Sequence, residues 1–393
     1  MSFFSHSEEE RLAEYYRTDI ESFFEATLEA DKYWLNMGPQ HPSTHGVFRM
    51  LLQLDGEKVA DVVPYFGYLH RAFEKLGEYR EYQMITPLTD RMDYLCAATM
   101  NMGYCLAVDR LMGIEVPRRG EYMRIIAQEL NRIASHLVWL ASFALDLGGQ
   151  GVFLYCFRER ERILDLFDRL CGTRQALTYI RPGGVSYDVP PGWLGELKDF
   201  LNKFPGWLKE YEELLTENEI FVNRVTNIGI ISAEDALNYG MSGPNLRGSG
   251  VKWDIRRDDP YNLYEEFDFE IPAGRGVGDV LDRYHVRLEE MRQSTYILLQ
   301  AIENLPEGPI MADKVGWHPK IKPGESSASV ESARGEFVVY LKADGTKVPY
   351  RTHFKSPCLV NLTALRKLLI GNLIADIMAI FGSLDVVLGE VDR

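Results

Sequence analysis

The sequence predicts a predominantly α fold with small β regions, an α+β chain built on a helical core. Three observations predict it. Between residues 87 and 170, three stretches carry apolar residues at helical spacing. Two Asp-Gly pairs, Asp55-Gly56 and Asp344-Gly345, sit between β-prone segments, which is hairpin chemistry. No repeat or low-complexity linker divides the 393 residues, so one continuous body is expected. Within it the reading is an N-terminal helical extension (1–31), an antiparallel β region with a histidine loop (32–67), an α-helical core (68–310), a β-hairpin region (311–361), and a C-terminal helix with a buried tail (362–393).

Taken in order, residues from about Ser7 to Lys32 place Leu12, Tyr15, Tyr16, Ile20, Phe23, Phe24 and Leu28 at helical spacing. This acidic amphipathic helix would dock on a partner or cover the sheet. Next comes Asn36 to Gly46, NMGPQHPSTHG, which packs Gly38, Pro39, Pro42 and Gly46 around His41 and His45. That density of Gly and Pro forbids a regular element. Its flanks, Tyr33-Trp34-Leu35 and Val47 to Leu52, are strand-like. The loop either holds an imidazole at a fixed place in a cavity or is a tight turn whose histidines satisfy backbone groups, and the stretch alone leaves both open. Val47 to Leu54 and Val59 to Val63 form a hairpin through Asp55-Gly56.

Helices are expected from Pro87 to Gly113, from Pro117 to about Gly148, and from Val152 to Leu170. A turn follows at Ile180 to Val185. A further helix covers Pro191 to Arg224, with a candidate break at Pro205-Gly206. Residues 240–278 are rich in Gly, Pro and Asp and lack periodicity. The glycines around Arg247 in SGPNLRGSG would suit an anion only with a P-loop or Rossmann context, which is missing. A helix from Asp279 to Leu305, a hairpin from Gly335 to Tyr350 and a helix over 362–381 complete the chain. The tail from Ser383 is apolar in its middle and is expected to be tucked in.

Forty-three basic residues against 58 acidic ones give a net charge of −15, which excludes a nucleic-acid surface. The five cysteines are Cys96, Cys105, Cys156, Cys171 and Cys358, and no two form a CxxC pair. The chain therefore encodes neither an iron–sulfur cluster nor a zinc knuckle, and the pattern suits a reducing cytoplasm. MSFFSHSEEE lacks the basic and apolar regions of a secretory signal. No apolar run spans a bilayer, since the longest candidate, Leu137 to Leu145, ends at Asp146. Work at a membrane would need a partner to hold the chain there.

Several polar positions inside the helices stand out. Asp90 and Asp93 suit a helix N-terminus. Tyr94 is by itself a core tyrosine. His136, between Ala134-Ser135 and Leu137-Val138-Trp139, reads as a structural donor. Asp146 is different. It ends an apolar run at a helix C-terminus, where the dipole disfavours negative charge, so it needs a donating or cationic partner. A histidine from a distant loop is one option.

The ordered motifs NMGPQHPSTHGVFR, YFGYLHRAFEK, TDRMDY, ALDLGG, FRERERIL, YIRPGGV, ISAEDALNYGMSGPNLRGSGVKWDIR, DRYHVRLEEMRQS, ESARGEFVVYL and GSLDVVLGEVDR resemble the quinone-site, 49-kDa-type subunit of respiratory complex I, NADH–quinone oxidoreductase. The resemblance covers residues 32–393. It implies a helical core like that of the large subunit of nickel–iron hydrogenases. Those enzymes hold their metals with two CxxC pairs, and here the matching stretches read Arg91 to Cys96 and Leu384 to Val387. Without a thiolate cage a hydrogenase activity is disfavoured.

The resemblance implies that this chain and a small iron–sulfur protein, the B-type subunit of the complex, enclose the site where a terminal [4Fe–4S] cluster on the neighbour reduces ubiquinone or menaquinone. Further implied partners are the C-type and I-type subunits and the membrane-embedded H-type subunit. The implied location is peripheral, on the cytoplasmic side of the bacterial inner membrane. No cofactor is expected on this chain, and quinone is its substrate. By motif match the head-group partners are His45 and Tyr94, and Asp146 fixes the histidine's tautomer. Loss of the histidine's proton would leave Asp146 unpaired, a first signal toward a proton pump. His41, Arg71, Arg91 and His136 match positions near the quinone cavity or the cluster.

Two departures carry expectations. Ala72 stands where relatives have glycine, so the local backbone is expected to differ slightly. Ala176 stands where many relatives have a histidine that titrates with cluster reduction, so a weak pH dependence of the neighbour's cluster is expected. The same chain would serve a relative fed by ferredoxin or a reduced deazaflavin. A scaffold with a degenerate site is a third reading, against which stands the joint presence of His45, Tyr94 and Asp146.

Overall fold

The Asp55-Gly56 turn forms between two apolar runs, as its chemistry requires. The computed structural model describes residues 32–313, 315–316 and 318–393. The helix expected over Ser7 to Lys32 lies outside the described residues. Strand β1 (Lys32–Met37) leads into the histidine loop, with β2 (Gln40–His41), a 3-10 turn (Pro42–Thr44) and β3 (Gly46–Val47). Strands β4 (Arg49–Asp55) and β5 (Lys58–Tyr65) follow. The sheet order is β1-β4-β5, all antiparallel, with Met37 opposite Met50 at the loop end. The loop therefore grows from two paired strands, and β4 is the buried one.

Helices α1 (Phe73–Gly77), α2 (Tyr82–Thr89), α3 (Ala97–Met112), α4 (Arg118–Asp146) and α5 (Gln150–Cys171) come next. The expected helix over 87–113 is two helices separated by a loop at residues 90–96. The aspartates make the break. Asp90 accepts from the Thr178 backbone N–H and from Asn101, which ties it to a distant segment. Asp93 Oδ1 accepts from the N–H groups of Leu95 and Cys96 and so closes the turn that leads into α3. Tyr94 lies between them, in the loop rather than in a helix.

A two-stranded ribbon, β6 (Ile180–Arg181) and β7 (Gly184–Val185), occupies the expected turn. Helix α6 (Trp193–Leu215) runs unbroken through Pro205. Its buried stripe, Leu197, Leu201, Phe204, Leu208 and Tyr211, continues on both sides of the proline, so packing overrides the lost hydrogen bond. The break falls instead at residues 216–218, where Asn218 caps α7 (Glu219–Val225). A short helix, α8 (Ala233–Asn238), precedes the glycine-rich region, and α9 (Gly243–Gly248) and α10 (Ile255–Asp258) lie within it. The long α11 (Val280–Glu303) follows where a helix is expected, capped by Asp279.

The expected C-terminal hairpin is a three-stranded antiparallel sheet, β8 (Gly324–Ser332), β9 (Gly335–Ala343) and β10 (Arg351–Lys355), in the order β10-β9-β8. Strand β8 reads GESSASVES, with only Ala328 and Val330 apolar to announce it. The tight turn is at Ala333-Arg334, whereas Asp344-Gly345 sits in the longer connection to β10. Gly335 is needed there, because a Cβ would lie 2.4 Å from Ser242 Oγ.

The helix expected over 362–381 is three pieces: α12 (Pro357–Thr363), α13 (Leu365–Leu369) and α14 (Ile377–Leu384). Residues 370–373 leave the helix to bond the sheet, with Val59 N–H donating to Asn372 O and Gly371 N–H to Val59 O. The tail is buried as expected, as α15 (Leu388–Asp392). The core centres on α4, which packs against α5, α11 and α14 and is buried around most of its circumference.

Candidate active site at the histidine loop

The loop residue Thr44 is fully buried, and its Oγ1 lies 2.8 Å from His41 O and 2.9 Å from Gly46 O. This hydroxyl staples the turn. His45 then takes a left-handed backbone, φ +50°, which histidine tolerates better than most residues. The turn aims its imidazole at the end of α4. There His45 Nε2 meets Asp146 Oδ2 at 2.5 Å, and both side chains are largely covered. Trp139, Phe143 and Asp146 share one face of α4. Trp139 stacks on Phe143 and donates from Nε1 to Gly382 O at 2.8 Å.

The C-terminal segment forms the third side. Phe381 stacks on Phe48 and lies nearly perpendicular to the His45 ring, with centroids 6.2 Å apart. A Cβ on Gly382 would stand 3.6 Å from His45 Cε1 and 3.7 Å from Asp146 Oδ2. Leu388 packs on Gly46. Its neighbour Gly389 abuts the second group of site residues. A Cβ on Gly389 would lie 2.8 Å from Met92 O, 3.0 Å from Arg71 Nη2 and 3.3 Å from Tyr94 Cε1. Two adjacent residues of α15 thus connect the histidine pair with Tyr94.

Arg71 donates to Arg91 O at 2.5 Å and reaches Gly389 O at 3.4 Å, with its guanidinium over Phe73. Partial burial lowers its pKa. Asp392 accepts from the N–H groups of Gly67 and Leu69, which clips the segment before Arg71 onto the C-terminus. Burial, and then the charge of Asp93, push the Tyr94 hydroxyl above the ordinary tyrosine range. Behind Tyr94, Arg334 bridges Asp93 at 2.9 Å and Asp385 at 3.2 Å, both inside the protein.

The structure thus brings His45, Asp146, Tyr94 and Arg71 around one C-terminal segment. Arg91 joins through its carbonyl, while its own Nη1 bonds Pro87 O. His41 stays on the exposed outer strand of the loop. His136 is elsewhere. It is fully buried and its Nε2 pairs with Glu290 at 2.8 Å, the structural role its surroundings in the sequence suggest. Burial lowers its pKa against the pull of Glu290. Arg247 is also committed inside, to Glu290, Glu331 and Asp254, which removes it as a free anion site.

Residues that sequence reasoning missed come from the C-terminal third: Phe381, Gly382, Leu388, Gly389, Glu390, Asp385 and Arg334. The available signal was the presence of Asp385 and Glu390 in an otherwise apolar tail, since acids buried with apolar neighbours demand a partner. The site is open on one side. Tyr94 is 42% exposed, and Phe66 and Tyr68, at 49% and 47%, flank the Arg71 segment. A donor pair, a fixed imidazole and an exposed aromatic rim can bind a flat polar ring and protonate its oxygens once a second surface covers it.

A family profile described as "Respiratory-chain NADH dehydrogenase, 49 Kd subunit" matches residues 146–320 and 314–393. The chain is 50% identical over 366 residues to the D subunit of the NADH-quinone oxidoreductase of Bacillus cytotoxicus, covering 93% of this chain and 100% of that protein. It is 51% identical over 366 residues to the protein of the same name from Geobacillus kaustophilus, covering 93% and 99%. It is 48% identical over 383 residues to that of Geotalea uraniireducens, covering 91% and 98%.

Proposed function

Because this chain belongs to the family of the 49-kDa subunit of respiratory-chain NADH dehydrogenase, and so is a subunit of an NADH–quinone oxidoreductase, we propose that it supplies the quinone head-group site of that complex. The observation that carries this reading is the joint placement of the His45–Asp146 pair and Tyr94 against adjacent parts of one C-terminal segment. Reduction of a quinone adds two electrons and two protons, so both ring oxygens need donors as charge develops on them. Tyr94 donates to one oxygen and His45 to the other. Asp146 accepts from the imidazole and fixes its ring and tautomer. When His45 gives up its proton, Asp146 loses its partner, and that uncompensated charge starts the signal to the proton-pumping part of the complex.

The electrons come from a [4Fe–4S] cluster on the B-type iron–sulfur subunit, which covers the exposed rim of Phe66, Tyr68 and Tyr94. Arg71 lies on that rim, and its charge would favour the reduced, more negative cluster. Among the described residues no helix is long and apolar enough to cross a membrane. In this reading the membrane-embedded H-type subunit anchors the chain, peripherally, on the cytoplasmic side of the inner membrane, and the C-type and I-type subunits complete its surroundings.

Tyr94→Phe tests the reading in membrane vesicles carrying the assembled complex. Removing the hydroxyl is expected to lower quinone reduction by at least about tenfold, with electron transfer to an artificial acceptor upstream of the quinone unchanged. Full quinone reduction by the variant would refute it.

A further inference from the structure

Glu390 is an acid close to the site that no cation serves directly among the described residues. It is fully buried, and neither carboxyl oxygen has a close hydrogen-bond partner among those residues, the Cys358 thiol and the Ser356 hydroxyl being the weak donors that act on it. It follows Gly389, the residue that abuts the Tyr94 ring. The groups that act on it come from each element packed around it. Asp93 approaches from the loop at residues 90–96, Cys358 and Ser356 from the start of α12, and Arg334 from the β8–β9 turn. Cys358 also acts on Tyr94, so the thiol lies within electrostatic range of both groups. The local charges do not balance if every acid ionises. Asp93, Asp385 and Glu390 would carry three negative charges. Arg334 and Arg287, the latter 4.0 Å from Asp385, supply two positive ones. Arg334 is already engaged by Asp93, Asp385 and Ser135. An ionised carboxylate here would be unpaired in the interior, which is costly, and protonation removes the cost.

We propose that Glu390 is held as a neutral acid behind Tyr94, and that its ionisation switches off proton donation by that tyrosine, which makes Glu390 a positioning residue for quinone reduction. The inference rests on the reading of Tyr94 as a head-group donor. A charge on Glu390 would add to that of Asp93, raise the proton affinity of Tyr94 further and weaken it as an acid. It would also oppose the negative charge that develops on the quinone. Burial and then Asp93 move the Glu390 carboxyl up to about 8, against Cys358, Arg334 and Ser356, so the switch lies just above neutral pH. Below that value the acid is neutral and Tyr94 can donate. Above it the site closes.

The test is the pH profile of quinone reduction by the assembled complex in membrane vesicles, with a short-chain quinone as the probe. The wild type should lose activity with a midpoint near 8, falling about tenfold one pH unit higher. Glu390→Gln keeps the shape and cannot ionise, so that loss should shrink to less than about twofold. Cys358→Ser places a stronger donor beside the carboxyl and should move the midpoint to lower pH. A wild type without an alkaline loss, or a Glu390→Gln complex that keeps it, overturns the proposal. If Glu390→Gln does not assemble, an unmoved midpoint in Cys358→Ser overturns it. Tyr94→Phe separates the two levels. Full activity in that variant would bring down the donor reading itself. A large loss there, with an unchanged alkaline limb in Glu390→Gln, would bring down only the role of Glu390.

Discussion

His45 Nε2 and Asp146 Oδ2 stand 2.5 Å apart across 101 residues of sequence. One comes from a turn that Gly and Pro exclude from regular structure, the other from the last residue of a 29-residue helix. A carboxylate at a helix C-terminus is disfavoured by the dipole unless something offsets it. The imidazole does so, and this pairing is what makes the loop more than a tight turn.

Asp146→Asn retains the volume of the side chain but presents an amide in place of a carboxylate. It is expected to leave assembly intact and to reduce proton pumping per quinone reduced, with the reduction rate itself falling by about tenfold or more. Reductase rate and the proton gradient in vesicles are measured side by side. Wild-type values for both would show that the pair carries no part of the coupling.

Gly389→Ala tests the role of α15 as the wall that joins the two halves of the site. The new methyl would stand 2.8 Å from the backbone oxygen of Met92 and 3.3 Å from Tyr94 Cε1. Backbone cannot yield as a flexible side chain does, so the loop at residues 90–96 must shift and carry Tyr94 with it. The expected result is an assembled complex with a raised KM for short-chain quinone, by several-fold or more. An unchanged KM would mean that Tyr94 is not positioned by this contact.

Much of the fold was legible where periodicity is strong. Helices α4, α5 and α11 begin and end within a few residues of where their apolar spacing stops. What misled was local chemistry overridden by distant contacts. Asp90 looks like a helix-starting acid but is held by Thr178. Pro205 looks like a break but is carried by the buried stripe of α6. Strand β8 is mostly Ser and Glu, with only Ala328 and Val330 apolar. In the candidate site, the motifs and the awkward place of Asp146 pointed to His45, Tyr94 and Asp146, which the structure sets around one C-terminal segment. Phe381, Gly382 and Gly389 were not legible, because a glycine that allows close approach looks like any other glycine until the neighbour is known.

Ala72, which the resemblance sets where glycine is usual, holds φ +57°, the left-handed conformation glycine favours, at the entrance to α1. An L-residue there bears roughly 1 kcal/mol of strain. Ala72→Gly is therefore expected to stabilise the Phe73–Gly77 turn by about 0.5 kcal/mol after glycine's larger entropy loss. Slower amide exchange across residues 73–77 would show it. Faster exchange would mean that the alanine methyl gains more in packing than it loses in strain.

Ala176, at φ +51° just beyond α5, cannot titrate; by the family resemblance it takes the place of a histidine. In the proposed reading, the midpoint potential of the iron–sulfur cluster on the B-type subunit is accordingly expected to change little with pH around neutrality. EPR redox titration across that range is the measurement, and a full proton-coupled slope of about 59 mV per pH unit would contradict it. Ala176→His should introduce the slope that the wild type lacks.

The interior of the helical core offers a last, purely thermodynamic prediction. Glu129, Asp254, Glu290 and Glu331 face Arg132, Arg247 and Arg256, all buried. Four acids face three guanidiniums, so one acid is in excess. Burial and then Asp254 push Glu331 up to about 7, against Arg247, Arg256 and Arg132, while the guanidiniums hold Asp254 down at about 2 despite its burial. A carboxyl with a raised pKa in the folded state contributes stability that is complete below the ordinary carboxylate range. That contribution declines as pH rises and is lost once pH has passed about 7. Glu331→Gln removes this dependence and keeps one acceptor oxygen, which can serve Arg247 or the Ile255 N–H but not both, whereas the two oxygens of Glu331 serve one each now. Heating the assembled complex and following retention of this chain should show the variant equal to or below the wild type at about pH 5 and above it at about pH 8. A variant less stable at both values, by roughly 3 kcal/mol, would mean that Glu331 is ionised throughout and that Arg247 depends on its charge.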